Sequence, residues 1–377
     1  MTTVEDKNDP YERIIQTMKK EYVNSIPLVD GKVSEAFREF IKMLFTPEEA
    51  EVAQYLTTRP QNAGKIAKKI GKSRQETKKI LDEMTYNGLL HDMGHGYSHF
   101  MVIAHLFNMG WKYRKTAERV GGIKAAQLWE QFFVDEKFYK RYTASKKGKS
   151  INRIVPVNTA IHYESKVSTA EEIHGIIDEC SDPIVITDCP CRSRQETLGN
   201  VRECKDKFPV EETCFQVGVF GGYFARRNEG RVLTREEAHE IIDKNAKMGL
   251  VFNTGNILNP MFHAVICSCC ACCCSVLKPI TRFEDKFEHS ITKANYISKV
   301  DQELCKGCGL CAKRCPFEAI TIEDDKASVD AKKCYGCGVC AVTCPTEAIR
   351  LHRFERSHIF ETGVGMMAQM TKDNQEN

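Results

Sequence analysis

The chain has 377 residues, which is enough for two or three domains with cores of their own. Its formal net charge is only +3, and 28% of its residues are charged while 42% are hydrophobic. This balance argues against a protein dominated by attraction to nucleic acid or to a membrane surface. The N-terminus carries acidic residues and no long apolar segment, so we expect no secretory signal, no membrane span and a cytoplasmic location.

The first third of the sequence predicts helices. Residues 1–40 have the pattern of an amphipathic helical lead-in, and residues 41–110 have the pattern of a helix-turn-helix. Thr46 is a candidate N-cap, and Ser73 with Glu76 has the spacing of a capping box that opens a third helix. The region 41–110 resembles a winged-helix domain.

Winged-helix domains contact either DNA or other proteins. The third predicted helix presents the basic and polar side chains that a DNA reader needs, but acidic neighbours dilute its charge. DNA is therefore a possible partner that we do not favour, and a protein contact, including a homodimer through this region, is the alternative. The residues concerned are Arg74, Gln75, Lys78 and Lys79, with Glu76, Asp82 and Glu83 against them.

Nineteen cysteines distinguish the rest of the chain. None precedes Cys180, eleven lie between Cys180 and Cys274, and eight lie between Cys305 and Cys344. Disulfides are disfavoured in a reducing cytosol, so metal binding, above all iron–sulfur, best explains so many thiols. The predicted fold is α+β, and its remaining parts are a connecting helical region at 111–178, a cysteine-rich α/β redox domain at 179–290, a two-[4Fe–4S] ferredoxin domain at 291–355 and a tail at 356–377.

Two apolar, β-branched runs in the middle region end in cysteines. One leads from Asp182 to Cys189 and the other from Phe262 to Cys267, so each predicts a buried strand that delivers thiols at its carboxyl end. Between them, Thr234 opens a helix with a capping box. The candidate metal ligands of this region are Cys189, Cys191, Cys204, Cys214, Cys267, Cys269, Cys270, Cys272, Cys273 and Cys274.

Three interpretations of these thiols stay open. They could hold at least one further iron–sulfur cluster, form a redox-active thiol or disulfide site, or bind zinc or simply lie buried. Arg192, Arg194 and His263 stand beside them in sequence and could lower thiol pKa values or bind an anionic substrate. An ordinary salt bridge or a core histidine is the alternative for each.

The clearest motif is an internal repeat at residues 305–345. Each half has three cysteines at intervals of three residues, then a fourth cysteine followed by proline, and the halves are 29 residues apart. Glycines between the cysteines let backbone amides approach a cluster closely. The segments FEAITI and TEAIRL after the two halves predict short strands.

This repeat resembles bacterial-type two-cluster ferredoxins, in which the fourth cysteine of each run ligates the other cluster. The resemblance implies one cluster on Cys305, Cys308, Cys311 and Cys344. It implies a second cluster on Cys334, Cys337, Cys340 and Cys315.

The chain as a whole resembles a group of little-characterised 4Fe–4S dicluster binding proteins of anaerobes. The resemblance rests on Cys189-Pro-Cys191-Arg and on the cysteine-dense segment from Ile266 to Cys274. It implies an architecture rather than a particular reaction.

Together these features predict an iron–sulfur electron-transfer protein of anaerobic metabolism. Single electrons are expected to pass between two ferredoxin clusters and a further cysteine-ligated cluster that serves a redox partner or reduces a substrate. Whether the chain is itself an oxidoreductase or a component of one stays open. The alternatives are a redox-responsive winged-helix regulator and an iron–sulfur cluster carrier.

Overall fold

The chain forms two compact units in its computed structural model. The first contains the residues up to 145 together with 190–201, and the second contains 146–189 together with 202–373. The described residues are 9–21, 26–92, 96–99, 122–165, 168–199 and 202–375. The parts of the predicted regions 41–110 and 111–178 that fall on residues 93–95, 100–121 and 166–167 lie outside them.

The first unit begins with helices and one small hairpin. Its elements up to residue 98 are α1 (Pro10–Glu21), β1 (Leu28–Val29), β2 (Lys32–Val33), α2 (Glu35–Leu44), α3 (Pro47–Ala53), α4 (Ala63–Ile70), α5 (Arg74–Tyr86), β3 (His91–Asp92) and β4 (Tyr97–Ser98). The predicted lead-in over 1–40 is thus interrupted by the β1–β2 hairpin, and its boundary falls inside α2 because the apolar face of α2 continues to Leu44.

The capping signals act as the sequence predicts. Thr46 and Glu49 form a reciprocal capping box at the start of α3, and Ser73 and Glu76 form another at the start of α5. Each box satisfies backbone N–H groups that have no partner inside the helix. Gly71 ends α4 with a positive φ of 69°, which glycine adopts without steric cost.

An aromatic core closes the later part of the first unit. Helix α6 (Ile123–Glu130) runs into a π-helical turn, which α7 (Tyr139–Tyr142) follows. Trp129 and Phe133 stack with ring centroids 5.1 Å apart, and Tyr142 meets both rings edge-on. The large buried area of these rings accounts for the compactness of this part.

A six-stranded sheet forms the centre of the second unit, with the strand order β5-β9-β10-β7-β6-β8. Every pairing in it is antiparallel. Its elements and the helices between them are β5 (Asn152–Ile154), α8 (Ile173–Glu179), β6 (Ile184–Thr187), α9 (Pro190–Thr197, in the first unit), β7 (Cys214–Gln216), α10 (Gly218–Ala225), β8 (Arg231–Leu233), α11 (Arg235–Met248), β9 (Val251–Gly255), β10 (Val265–Cys269) and α12 (Lys278–Thr281).

The predicted α/β character of the middle region is therefore wrong. An α/β domain has parallel strands joined by crossover helices, whereas this sheet is antiparallel throughout. The two cysteine-bearing runs do form buried strands, β6 and β10. However, Cys267 and Cys269 lie within β10 rather than after its end.

The two faces of the sheet differ in chemistry. Ile186, Phe215 and Ile266 are register partners on one face, where α8 and α11 contribute further apolar side chains to the core. Cys267 lies opposite Cys214 on one side and Asn253 on the other, so these three share the second face. One side of the sheet is apolar, and the other carries thiols and amides beside apolar residues such as Val251, which lies opposite Cys269 and shares the apolar core with it.

The ferredoxin-like segment follows in the same unit. It consists of β11 (Tyr296–Val300), α13 (Leu310–Arg314), β12 (Ile320–Glu323), β13 (Lys326–Val329), α14 (Val339–Val342) and β14 (Ile349–Arg353), and α15 (Gly363–Gln375) comes last. β11 pairs with β14, and β12 pairs with β13. The strands predicted after each cysteine run are confirmed as β12 and β14.

One apolar core joins the sheet to the ferredoxin-like segment. It includes Phe215 and Ile266 of the sheet together with Phe317, Tyr335 and Leu351 of the segment. The rings of Phe317 and Tyr335 stack with centroids 4.3 Å apart. Among the helices of the described residues, none is long and apolar enough to cross a bilayer.

Candidate iron–sulfur and thiolate centres

The first cysteine run of the ferredoxin-like segment surrounds a small cavity. The cavity lining includes Cys305, Cys308, Cys311 and Cys344, which is the set that the crossed ligand pattern implies. Gly309 precedes α13 with a φ of 73° and turns the chain so that the cysteines before and after it face the same space. All nineteen cysteines are among the described residues, and Cys308 is the one of them that is exposed.

The second run groups with the fourth cysteine of the first. Burial and the nearby thiols of Cys340, Cys315 and Cys334 raise the pKa of Cys337. Burial likewise raises the pKa of Cys311, but its thiol neighbours are Cys308 and Cys305. The thiol neighbours of Cys337 and Cys311 are thus those that the crossed assignment groups with them, while Cys340 has both Cys315 and Cys311 nearby.

Polar hydrogens point at several of these sulfurs. The amide of Ala327 donates to Sγ of Cys305 at 3.4 Å, and the amide of Ala319 donates to Sγ of Cys315 at 3.4 Å. The hydroxyl of Ser298 lies 3.2 Å from Sγ of Cys340. Such contacts stabilise negative charge on thiolate ligands, which is what an iron–sulfur site requires.

Two glycines show how tightly the backbone passes the cluster loops. A Cβ at Gly307 would come within 2.2 Å of the carbonyl oxygen of Asp325, and one at Gly336 within 2.4 Å of that of Tyr296. Both residues also have a positive φ. The segment therefore fits two cubane clusters in its thiol sets, its amide donors and its glycine positions.

A second set of thiols lies on the polar face of the sheet, and we call Cys214, Cys267, Cys269 and Cys274 the face group. Sγ of Cys214 and Sγ of Cys267 are 3.8 Å apart across paired strands. Hydrogen bonds with Cys267 and Cys274, together with burial, raise the pKa of Cys269 well above its usual range. The four thiols thus form a connected row from β7 to the turn after β10.

Two side-chain amides donate to the face group. Nε2 of Gln216 is 3.3 Å from Sγ of Cys214, and Nδ2 of Asn253 is 3.2 Å from Sγ of Cys269. Both amides are buried. A buried donor aimed at sulfur favours the thiolate form, so this face suits a metal–thiolate centre.

A third set of thiols includes three from the turn that follows β10. We call Cys204, Cys270, Cys272 and Cys273 the loop group. Their four Sγ atoms all lie within 4.8 Å of one another. Sγ of Cys273 is 3.7 Å from that of Cys204 and 3.6 Å from that of Cys272. Hydrogen bonds with Cys204 raise the pKa values of Cys272 and Cys273.

Two of the candidate ligands belong to neither group. Cys189 is buried in the second unit, while Cys191 is half-buried in α9 of the first unit. Metal binding by Cys189 and Cys191 remains a prediction. Cys180 is buried as well, and its thiol donates to the carbonyl of Ile177 at 3.4 Å.

The charged neighbours have ordinary structural contacts. Nε of Arg194 lies 3.2 Å from a carboxylate oxygen of Glu130, and its guanidinium stacks over the Trp129 ring. Nδ1 of His263 is 2.9 Å from the Thr254 hydroxyl, and burial lowers the pKa of His263 to about 3. Arg192 is fully buried in α9. These contacts favour the structural interpretation of Arg194 and His263.

The basic side chains of α5 are on the surface. Arg74, Gln75, Lys78 and Lys79 are exposed, and Lys78 forms an ion pair with Asp82 one turn later. The α3–α4–α5 helices are followed by the β3–β4 hairpin, and Tyr97 of β4 pairs with Gln61 ahead of α4. DNA binding by this unit remains a prediction.

Sequence reasoning missed the amides and hydroxyls around the thiols. Ser298, Gln216 and Asn253 stand in strands with no motif of their own, so nothing local indicates that they meet cysteine sulfurs. For Gln216, its position two residues after Cys214 on a strand is a usable signal, because alternate residues share a face. The partition of the middle cysteines into two groups has no such signal.

Comparison with known proteins supports the ferredoxin-like segment. Residues 298–351 match the family described as 4Fe-4S dicluster domain. Protein Pixie of Drosophila melanogaster is 32% identical over 90 residues, which are 24% of this chain and 13% of that protein. Pyruvate synthase subunit PorD of Methanothermobacter marburgensis is 50% identical over 28 residues, which are 7% of this chain and 35% of that subunit.

The chain therefore spans 13% and 35% of the lengths of these two relatives. No solved structure is significantly similar to it. Residues 298–351 are therefore a ferredoxin-like module of the 4Fe–4S type.

Proposed function

We propose that this protein carries single electrons between an external redox partner and a further iron–sulfur centre on the face group, through two [4Fe–4S] clusters in the ferredoxin-like segment. Iron–sulfur clusters supply one-electron chemistry because the charge is spread over several irons, with a potential set by hydrogen bonds and solvent exposure. The protein residues hold the clusters, tune them and shield them from water.

The shared apolar core supports this route. Cys269 and Cys274 of the face group belong to it, Cys267 packs against it, and so do Cys315 and Cys337, two proposed ligands of the second ferredoxin cluster. Thiols of the sheet and of the ferredoxin-like segment therefore border the same dry interior. A low-dielectric, rigid medium between two centres limits the reorganisation that accompanies each electron.

The first ferredoxin set supplies the outer end of the route. Cys305 belongs to a separate, smaller apolar core, and Cys311 and Cys344 pack against it. Cys340 and Cys315 of the second set also border this core, so it lies between the two ferredoxin sets. Cys308 is exposed at this end. We place the contact with the partner protein near Cys308, because electrons cross most readily where a ligand reaches the surface.

Iron and acid-labile sulfide on anaerobically prepared protein test the proposal. Two cubanes give about eight sulfides per chain, so a centre on the face group raises the count above that. The double variant Cys267→Ala/Cys269→Ala should lose only this excess and keep the signals of both ferredoxin clusters. Cys180→Ala, a buried thiol outside both groups, is the control. A wild-type count of about eight sulfides or fewer contradicts a cluster on the face group.

A second candidate rests on the Cys214–Cys267 pair. The two residues are register partners with sulfurs 3.8 Å apart, close enough for a small movement to form a disulfide. Oxidation of the two thiols forms one S–S bond and releases two protons and two electrons, which leave singly through the ferredoxin clusters. About eight sulfides, with Cys214 and Cys267 protected from alkylation after oxidation, favours this dithiol site over the cluster.

We infer a role in anaerobic metabolism from the load of oxidisable thiols, eleven of which lie outside the ferredoxin repeat. The winged-helix assignment, the homodimer and a regulator that responds to cluster state are also proposals. The order of α3, α4, α5 and the β3–β4 hairpin supports the winged-helix assignment. A DNA-shift assay at physiological salt in both oxidation states tests the regulator, and the lack of sequence preference in both states contradicts it.

A further inference from the structure

We propose that the loop group binds a single tetrahedral metal ion, Zn²⁺ or a lone Fe²⁺, rather than an iron–sulfur cluster. This site is separate from the face group and adds a second metal centre of a different kind to the middle of the chain. It does not depend on whether the face group holds a cluster.

The spacing of the sulfurs carries the argument. Four thiolates around one ion at about 2.3 Å form a tetrahedron whose sulfurs are about 3.8 Å apart. The measured Cys204–Cys273 and Cys272–Cys273 separations are 3.7 and 3.6 Å, and all four sulfurs lie within 4.8 Å of one another. A cluster places several irons and sulfides between its ligands and must push their sulfurs farther apart.

The ferredoxin cysteines provide an internal reference. Among the described residues, the loop group is the one set of three or more candidate ligands whose donor atoms come within 4.8 Å of one another. The eight ferredoxin cysteines are all described, and no three of them are that close. Sets that fit cubanes in this chain are thus wider than the loop group.

The surroundings of the loop group are those of a closed structural site. Cys204, Cys270 and Cys273 are buried, and their neighbours Phe208, Met248 and Leu250 form an apolar shell. Structural ions are typically enclosed by four protein ligands, whereas catalytic ions keep an open position. Four thiolates and a divalent cation leave a net charge of about −2, so the site needs nearby cations.

Arg202 supplies one of these positive charges. The side chain is buried, and its Nη1 lies 3.5 Å from Sγ of Cys204 while also donating to the carbonyl oxygen of Phe208 at 3.1 Å. Arg282 interacts electrostatically with Cys272 and is held by a bidentate contact with the Glu203 carboxylate. The contacts of the Arg202 guanidinium with Cys204 and Phe208 also hold the loop that brings Cys204 to the other three thiols, which are distant from it in sequence.

The position of the loop group in the chain suggests what the ion does. Cys270, Cys272 and Cys273 lie in the turn between Cys269 and Cys274, two members of the face group. An ion that ties this turn to Cys204 fixes the separation of those two thiols. The loop group therefore acts as a positioning site for the face group.

Metal and sulfide analysis of the full chain distinguishes the possibilities. In the Cys267→Ala/Cys269→Ala background, which has no face-group cluster to lose, Cys204→Ala and Cys273→Ala should each lose about one metal ion per chain and no acid-labile sulfide, while the buried-thiol control Cys180→Ala should lose neither. Loss of about four irons with about four sulfides means a cubane and overturns the proposal. No loss of metal from either variant overturns it as well.

A measurement on the wild-type protein keeps the test independent of variant folding. Purified protein is stripped with a chelator and then given Zn²⁺, or Co²⁺ as a spectroscopic substitute. Uptake of about one ion, four sulfur neighbours at about 2.3 Å by zinc X-ray absorption and the strong visible bands of tetrahedral Co²⁺–thiolate support the proposal. Oxygen or nitrogen neighbours, or no uptake, contradict it. Failure of the face group to bind iron changes neither readout.

Discussion

The ferredoxin-like segment and the cysteine-rich sheet gather thiols by different means. In the segment, two runs of four cysteines repeat at a fixed interval of 29 residues, and each run wraps its own loop. In the sheet, Cys214 and Cys267 meet because two strands pair in one register, and Cys204 reaches Cys273 across 69 residues of chain. Local spacing places thiols in the segment, and strand register and loop packing place them in the sheet. Loss of one cysteine in the segment should therefore remove only the cluster that it ligates. A change in strand register or loop packing in the sheet should instead displace several thiols together.

The largest expected effect tests the crossed ligands of the segment. Cys315→Ala should remove the second ferredoxin cluster, with a loss of about four irons and four sulfides, because Cys315 lies among Cys334, Cys337 and Cys340. Its electron paramagnetic resonance spectrum after reduction should match that of Cys334→Ala. A spectrum matching that of Cys305→Ala would show that the fourth cysteine serves its own run.

A glycine pair tests how far the local loops alone determine the segment. Gly307→Ala forces a Cβ to within 2.2 Å of the Asp325 carbonyl oxygen, whereas a Cβ at Gly309 meets its nearest atom at 3.9 Å. Both glycines have a positive φ, so alanine at either position costs about 1 kcal/mol of backbone strain. Only Gly307→Ala adds a clash. We expect Gly307→Ala to lose cluster content and Gly309→Ala to keep it with about 1 kcal/mol lower stability. Equal losses would mean that the clash is relieved by movement of the β12–β13 turn.

The cysteine-poor first unit extends the comparison, because buried polar groups rather than metal should set its stability. His99 is fully buried, its Nε2–H donates to the Ala53 carbonyl at 3.0 Å, and burial lowers its pKa to about 4. The folded state then favours neutral His99, so stability is complete above pH ~6.5, falls as pH drops towards ~4 and is constant below that. The loss is at most about 3 kcal/mol, from ~1.36 kcal/mol for each pKa unit.

Chemical unfolding of this unit between pH 7 and 4, followed in the presence of a chelator, measures the effect. His99→Gln keeps a donor for Ala53 without a titrating group and should flatten the profile. If the free energy of unfolding changed with the chelator rather than with pH, a bound metal would stabilise this unit too. The expected difference between the two units would then be wrong.

The smallest expected effect is a change in reduction potential on removal of a side-chain amide that donates to a thiol of the sheet. Asn253→Leu removes the donor to Cys269 and so destabilises the more negatively charged, reduced state of a centre on the face group. Its reduction potential should fall by tens of millivolts, on the scale of ~1 kcal/mol for a hydrogen bond and about 59 mV per tenfold change for one electron. Potentiometric titration measures this, and the ferredoxin potentials serve as the control. An unchanged potential would mean that Asn253 shapes the sheet only.

The sequence alone determines the elements whose cause is local. The capping boxes at Thr46, Ser73 and Thr234, the strands β12 and β14, and the repeat that identifies the iron–sulfur module all depend on residues a few positions apart. Short-range hydrogen bonds and backbone preferences are sufficient to form these elements, so the local pattern of side chains predicts them.

Tertiary structure decides what joins residues far apart. The antiparallel order of the six strands, the pairing of Cys214 with Cys267 and the meeting of Cys204 with Cys270 and Cys273 depend on which long-range contacts bury the most apolar surface. A cysteine-dense segment such as 267–274 carries no local signal of how its thiols divide. Strand pleating sends Cys267 and Cys269 to one face, and the following turn carries the next three thiols to another site.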